Sequence, residues 1–135
     1  MLVYAFYVEA PEHERYRDWL RSAVDSPEPV AVSDLVLSSF VRITTNPRVI
    51  SPPIPLPNAL AFADTLRASP GVVIVAPGGR HWEIFERLCL EAGARGNLVT
   101  DAYLAALAIE SGGELITTDR DFARFPGLRW RHPLA

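Results

Sequence analysis

The sequence predicts an α/β fold, a three-layer sandwich in which a mostly parallel sheet is flanked by helices. Three observations predict it. Short β-branched runs, Val30–Val32 and Gly71–Ala76 among them, are bounded by Pro, Gly or Ser. Between them lie segments whose apolar residues recur at helical spacing. The two kinds alternate, and strands separated by a helix pair in parallel. With 135 residues, 49% of them hydrophobic and 21% charged, the chain is expected to form one domain, 1–135. A chain of that length buries roughly two-thirds of its unfolded surface in a single core.

Taken in order, Leu2–Val8 is an apolar run that pattern alone leaves open between strand and buried helix. A helix is expected over Pro11–Ser26, because Pro11 suits a first turn and Glu12 and Glu14 suit the positive helix end. Tyr16, Trp19, Leu20, Ala23 and Val24 share a face of it, and Ser26-Pro27 stops it. Val30–Val32 is a short strand. Ser33 and Asp34 cap the next helix, which Asn46-Pro47 ends. The proline-rich Val49–Pro57 reads as extended loop, followed by a helix over about Pro57–Ala68 and a buried strand in Gly71–Ala76. Gly78-Gly79 turns into a helix from about Arg80 to Ala92. Asn97 caps another that reaches Ser111, and Glu114–Thr118 and Leu128–Arg131 are the last strands.

Composition excludes several classes. No apolar run is long enough to cross a bilayer and no secretory leader pattern opens the chain, so no membrane role is expected. Cys89 is the single cysteine, which excludes a disulfide framework and a cysteine-built zinc site and points to a reducing, cytoplasmic setting. Amid Phe85, Leu88 and Leu90 it reads as a small buried hydrophobe. His13, His81 and His132 have no metal-ligand spacing. A net charge of −3 means that bulk charge does not hold nucleic acid here, and all 13 basic residues are arginine.

The carboxylates carry the chemistry. On the helix Asn97–Ser111, the neighbours of Asp101 at helical spacing are Leu98, Leu104, Ala105 and Ala108, so it stands on the core-facing stripe. An unpaired carboxylate is expensive there, and the alternative is a helix-start group that bonds backbone amides. Asp119 follows the strand Leu115–Thr118, and ligands of open α/β sheets bind beyond the carboxyl ends of strands. Asp121 stands two residues on. Alone, Asp-Arg-Asp is a common turn; with an inward Asp101 it becomes an oxygen-only set suited to Mg²⁺, with Mn²⁺ as the alternative. Arg42 and Arg48 bracket Thr44-Thr45-Asn46, while Arg120, Arg124, Arg129 and Arg131 crowd the C-terminus. As a set, these guanidinium groups suit phosphate or the acidic groups of a partner. Gly78-Gly79-Arg80 before a helix offers amides to an anion but lacks a full phosphate-loop fingerprint. The aromatics Tyr4, Phe6, Tyr7, Tyr16 and Trp19 are expected to contribute to a dimer or partner surface.

Asn97-Leu-Val-Thr-Asp101-Ala-Tyr-Leu-Ala-Ala-Leu-Ala-Ile, followed by Leu115-Ile-Thr-Thr-Asp119-Arg-Asp121-Phe122, resembles the C-terminal half of a PIN domain. Val41–Arg48, Phe122–Phe125 and Leu128–Trp130 extend the likeness over essentially the whole chain, and specifically to VapC-type toxins of the mycobacterial branch. The resemblance implies a PIN-like sandwich and a Mg²⁺-dependent endoribonuclease that cuts structured RNA such as tRNA or rRNA. It also implies neutralisation by a cognate VapB-type antitoxin, and a homodimer. Asp101 and Asp119 then correspond to metal ligands, Asp121 contributes through water or outer contacts, and Arg42, Arg48 and Arg120 are candidate RNA or antitoxin contacts.

Two departures from the pattern stand out. The family's first strand and its closing Asp precede a segment like Leu2-Val-Tyr-Ala-Phe-Tyr, so that strand is expected to lie upstream of Met1. Relatives also carry a glutamate near the place of Ser39; the nearest acid here, Asp34, is read as a helix-start carboxylate instead. Rival readings are a PIN scaffold that binds antitoxin or RNA without cutting, and a metal-dependent phosphatase using Asp119 or Asp121 as nucleophile. The chain lacks the N-terminal Asp-x-Asp that would support the phosphatase.

Overall fold

The computed structural model describes residues 1–135 and divides into two compact units, Met1–Val75 with Leu134, and Ala76–Pro133 with Ala135. In the first, the chain runs through α1 (Leu2–Phe6), α2 (His13–Asp25), β1 (Val30–Ser33), α3 (Asp34–Thr44), α4 (Leu56–Ala68) and β2 (Val72–Val75). The second holds α5 (His81–Ala92), α6 (Asn97–Ser111), β3 (Leu115–Ile116), a 3₁₀ helix at Arg120–Arg124, and β4 (Trp130–Arg131). No helix is long and apolar enough to cross a membrane.

In the first unit β1 and β2 pair in parallel from Val30↔Val72 to Ser33↔Val75. Ser33 ends the strand and its hydroxyl accepts the amide of Leu35 at 3.1 Å, the helix cap expected of it. Phe40 on α3 is 2% exposed and meets Phe6 of α1 and Phe62 of α4 with ring centroids 5.4 and 5.0 Å apart. Leu2, Ala5, Tyr16, Leu20, Val32, Leu37 and Leu66 complete this core. Tyr16 is therefore a core side chain, which corrects its expected place on a partner surface, whereas Phe6 packs against the core while only partly buried; Tyr4 meets Tyr16 in a tilted contact at 5.1 Å.

Other sequence expectations also shift. Of the two readings left open for Leu2–Val8, the helical one holds. Helix α2 starts at His13 rather than Pro11, because Glu12 adopts a left-handed φ of 56° that interrupts the helix. The strand in Gly71–Ala76 contracts to Val72–Val75 and is not fully buried: Val73 is 50% exposed, since a β-strand turns alternate side chains to opposite faces. The parallel pairing forms two separate two-stranded ladders, β1–β2 and β3–β4, rather than one sheet.

The second unit is built on α5 packed against α6. Ile84 and Leu88 of α5 meet Ala102, Ala105 and Ala106 of α6, whose lack of long side chains lets the two backbones approach. Phe122 of the 3₁₀ helix and Phe125 just beyond it close that core. Gly96, not Asn97, is the residue before α6: its φ of 60° and ψ of −133° lie where a side chain is strained, and Asn97 is already helical. Leu115 donates its amide to Arg129 at 2.9 Å and Thr117 to Arg131 at 3.1 Å, fixing the short β3–β4 ladder.

Phe40→Ala is expected to cost about 3–5 kcal/mol in urea unfolding, through lost ring contacts and an unfilled cavity. Val73→Ala, on the open face of β2, is expected to stay within about 1 kcal/mol of the parent.

Candidate active site

The site is built at the end of β3. Once the ladder has fixed Thr117, its hydroxyl accepts the backbone N–H of Asp119 at 3.1 Å. Asp119 in turn caps the 3₁₀ helix, Oδ1 accepting the N–H of Asp121 at 2.8 Å. The buried Phe122 and Phe125 hold that helix to the core below, leaving Asp119 and Asp121 exposed above it. The turn reading of Asp-Arg-Asp and the ligand reading thus both apply: the turn aims the carboxylates. Thr117 is a positioning residue that the sequence did not disclose, because a threonine two residues before an aspartate is unremarkable until the hydrogen bond is seen.

Asp101 approaches from α6, half-buried and beside Ala105, which is fully buried. It makes no hydrogen bond or ion pair. Burial raises its carboxyl above the ordinary carboxylate range, and the like charges of Asp119 and then Asp121 raise it further. An acid on α6 and two at the start of the 3₁₀ helix are thereby brought within electrostatic reach of one another. Asp101 is the fifth residue of α6, where the helix dipole has largely faded, and the repulsion goes uncompensated.

Other predicted contacts sort themselves. Arg42 lies in the last turn of α3 and Arg48 in the turn beyond it, both exposed, in the first unit. Asp34, in that same unit, is held by Arg67 through two bonds of 2.8 and 3.0 Å, as befits a helix-start carboxylate. In the second unit Arg120 is exposed between Asp119 and Asp121 in the chain. Arg129 and Arg131, grouped by sequence with the arginines suited to phosphate or a partner's acids, make bonds within the fold: Arg129 donates to the Gly112 carbonyl at 2.7 Å and Arg131 to Glu114 at 3.1 Å. The Gly78-Gly79-Arg80 turn receives an anion from within. Glu110 of α6 accepts the amides of Gly78 at 2.7 Å and Arg80 at 2.9 Å, which holds its carboxyl below the usual range. A Cβ on Gly78 would stand 2.8 Å from that carboxylate. His81 is buried and donates Nε2–H to the Tyr103 carbonyl at 2.9 Å, a packing role.

The donor set suits a hard divalent cation. Its oxygens are all carboxylate, its charge is unneutralised, and Asp101 has no protein donor to satisfy it. The acids do not close into a three-ligand cage. Mg²⁺ accepts such openness, since it retains waters and binds through one or two carboxylates plus substrate phosphates.

Because folding raises the affinity of Asp101 for a proton, the folded chain binds more protons than the unfolded one between the ordinary carboxylate range and the raised value. Stability therefore falls as pH rises through that interval. In metal-free buffer at neutral pH, Asp101→Asn is expected to be more resistant to urea than the parent. The gap should close as pH drops below the ordinary carboxylate range. A gap independent of pH would show that the ionised carboxylate is not the cause.

Comparison with known proteins agrees with this architecture. The family model for the PIN domain matches residues 1–128. The VapC ribonuclease Mb2897 of Mycobacterium bovis is 42% identical over 134 residues, covering 99% of this chain and 91% of that protein. Ribonuclease VapC25 of Mycobacterium tuberculosis is 38% identical over 133 residues, covering 98% and 94%. Among solved structures, VapBC2 from Rickettsia felis bound to a DNA fragment from their promoter superposes with a TM-score of 0.71 at 20% identity, covering 96% of this chain and 91% of that one. VapBC-1 from nontypeable Haemophilus influenzae gives 0.66 at 14%, covering 90% and 88%. With a helix-borne acid facing strand-end acids in its second unit, and this likeness over nearly its full length, the chain belongs to the PIN-domain family as a VapC-type member.

Proposed function

We propose that this chain is the toxin of a VapBC-type toxin–antitoxin system, a divalent-metal-dependent endoribonuclease that cuts structured cellular RNA and is neutralised by a VapB-type antitoxin. The observation that carries the reading is Asp101: a half-buried carboxylate without a partner, facing the charge of Asp119 and Asp121. An arrangement that raises the energy of the empty site is the expected mark of a cation site. The ribonuclease names of its VapC relatives and the VapBC identity of its structural neighbours support the same reading. It takes residues 1–135 as one functional domain acting in the cytoplasm as a homodimer.

In this reading Asp101 and Asp119 hold Mg²⁺, or Mn²⁺, and Asp121 acts from the outer shell. When bound, the ion supplies a Lewis acid for a phosphodiester oxygen and lowers the pKa of an attacking water. The chain's own part is positional. Thr117 holds the Asp119 backbone amide, the Asp121 amide holds the Asp119 carboxylate, the α6 backbone fixes Asp101, and Ala105 and Phe122 are packed in the core of the same unit. Arg42, Arg48 and Arg120 are assigned to RNA or antitoxin contact. A second reading, a scaffold that binds RNA or antitoxin without cutting, draws on the failure of the acids to close into a three-ligand cage.

Incubated with bulk bacterial RNA and Mg²⁺ or Mn²⁺, the purified chain is expected to give discrete fragments, and Asp101→Ala none while remaining folded by circular dichroism. Equal cleavage by parent and variant would remove Asp101 from the reaction. RNA bound but uncut in both metals would select the scaffold reading.

A further inference from the structure

The second unit separates its arginines into those already committed and those left free. Arg87 pairs with Glu91, Arg129 holds the Gly112 carbonyl and Arg131 holds Glu114. Arg120 and Arg124, the first and last residues of the 3₁₀ helix, are exposed and make no ion pair or side-chain hydrogen bond. Arg80 and Arg95 are also unpaired, but they stand in the turns before α5 and α6. The position of the pair on the 3₁₀ helix is what raises it above a solvated surface. Arg120 follows Asp119 and precedes Asp121, with Cα atoms about 3.8 Å away on either side. Neither carboxylate takes it as a partner: Asp119 spends Oδ1 on the Asp121 amide. Cations adjacent to acids, yet not neutralising them, remain available to an outside anion.

We propose that Arg120 and Arg124 form a two-point clamp on the RNA phosphates that flank the scissile one, an assignment that rests on the ribonuclease reading above. An RNA strand drawn to this rim meets three carboxylates. A bound divalent ion offsets one phosphate at most, so the neighbouring phosphates need cations of their own. Guanidinium forks match phosphate oxygens in pairs, and the buried Phe122 and Phe125 fix the helix from which both forks extend. Arg129 and Arg131 belong to the β3–β4 framework instead.

The test compares Arg120→Gln/Arg124→Gln with Arg87→Gln/Arg131→Gln, which removes the same charge from committed pairs. Binding of a fluorescent bulk tRNA pool is followed as a function of salt on an Asp101→Asn background, alongside cleavage kinetics in the cutting form. Each lost phosphate contact flattens the log K against log salt slope by about 0.7–0.9, so the clamp variant is expected to flatten it by about 1.4–1.8. Binding is expected to weaken on the order of tenfold at 0.1 M salt. The loss should fall on KM, with kcat nearly kept, and the control pair should leave the slope unchanged. If the parent cuts RNA but both double variants weaken binding equally, bulk charge explains the effect and the clamp is wrong. If the clamp variant instead loses only its affinity for polyglutamate, the two arginines serve an acidic protein and the RNA assignment falls. A parent that neither binds nor cuts RNA overturns the ribonuclease reading and the clamp with it.

Discussion

Asp101 is held half out of water, on the packed stripe of a helix, with two further carboxylates as its electrostatic neighbours and no protein donor to ease it. Burial is the larger cost and repulsion the smaller, and both act against folding when the carboxyl is ionised. Around that cost the second unit is arranged. The alanines of α6 let α5 pack against it, and His81 and Glu110 tie the start of α5 to α6 by hydrogen bonds. The helix that carries Asp101 is thereby anchored along its length, so the carboxylate cannot relax toward water by tilting the helix. Strain concentrated on charge rather than on packing suits a site that gains a cation.

The opposing acids are positioned by a relay of local bonds rather than by a large sheet. A two-residue ladder places Thr117, Thr117 orients the Asp119 amide, Asp119 caps the 3₁₀ helix, and two phenylalanines clamp that helix from beneath. Each link is weak alone, worth about 1 kcal/mol as a neutral hydrogen bond, and the buried rings supply the rigidity. The same helix then presents two arginines outward while Arg129 and Arg131 brace the ladder. Sequence proximity alone would have pooled all four.

Much of this was legible in the chain. The helix Asn97–Ser111 was predicted to its C-terminal bound and to within one residue at its start, because its apolar spacing is strict and Gly112-Gly113 ends it. The inward face of Asp101 followed from the same spacing, and the motif around Asp119 named the family. Illegible were the features that depend on partners distant in sequence or on unusual backbone. Glu110 fills the Gly78 turn from 32 residues away. Glu12 delays the start of α2 by a left-handed conformation that no pattern announces, and Gly96 precedes α6 with a positive φ. The rings of Phe6 and Tyr16 looked like surplus aromatics until Phe40, Phe62 and Tyr4 came up against them. Each arginine's commitment, too, waits on a carbonyl or carboxylate brought near only by folding.

The most direct test of the uncompensated carboxylate set is the thermal midpoint of the purified chain as Mg²⁺ or Mn²⁺ is added, beside Asp101→Asn and Asp119→Asn. A ligand that binds only the folded form raises the midpoint with its concentration. A rise is expected for the parent that saturates with metal and nearly disappears in both variants. An equal rise in Asp101→Asn would mean that the cation settles elsewhere, and the site as described here would not be a metal site.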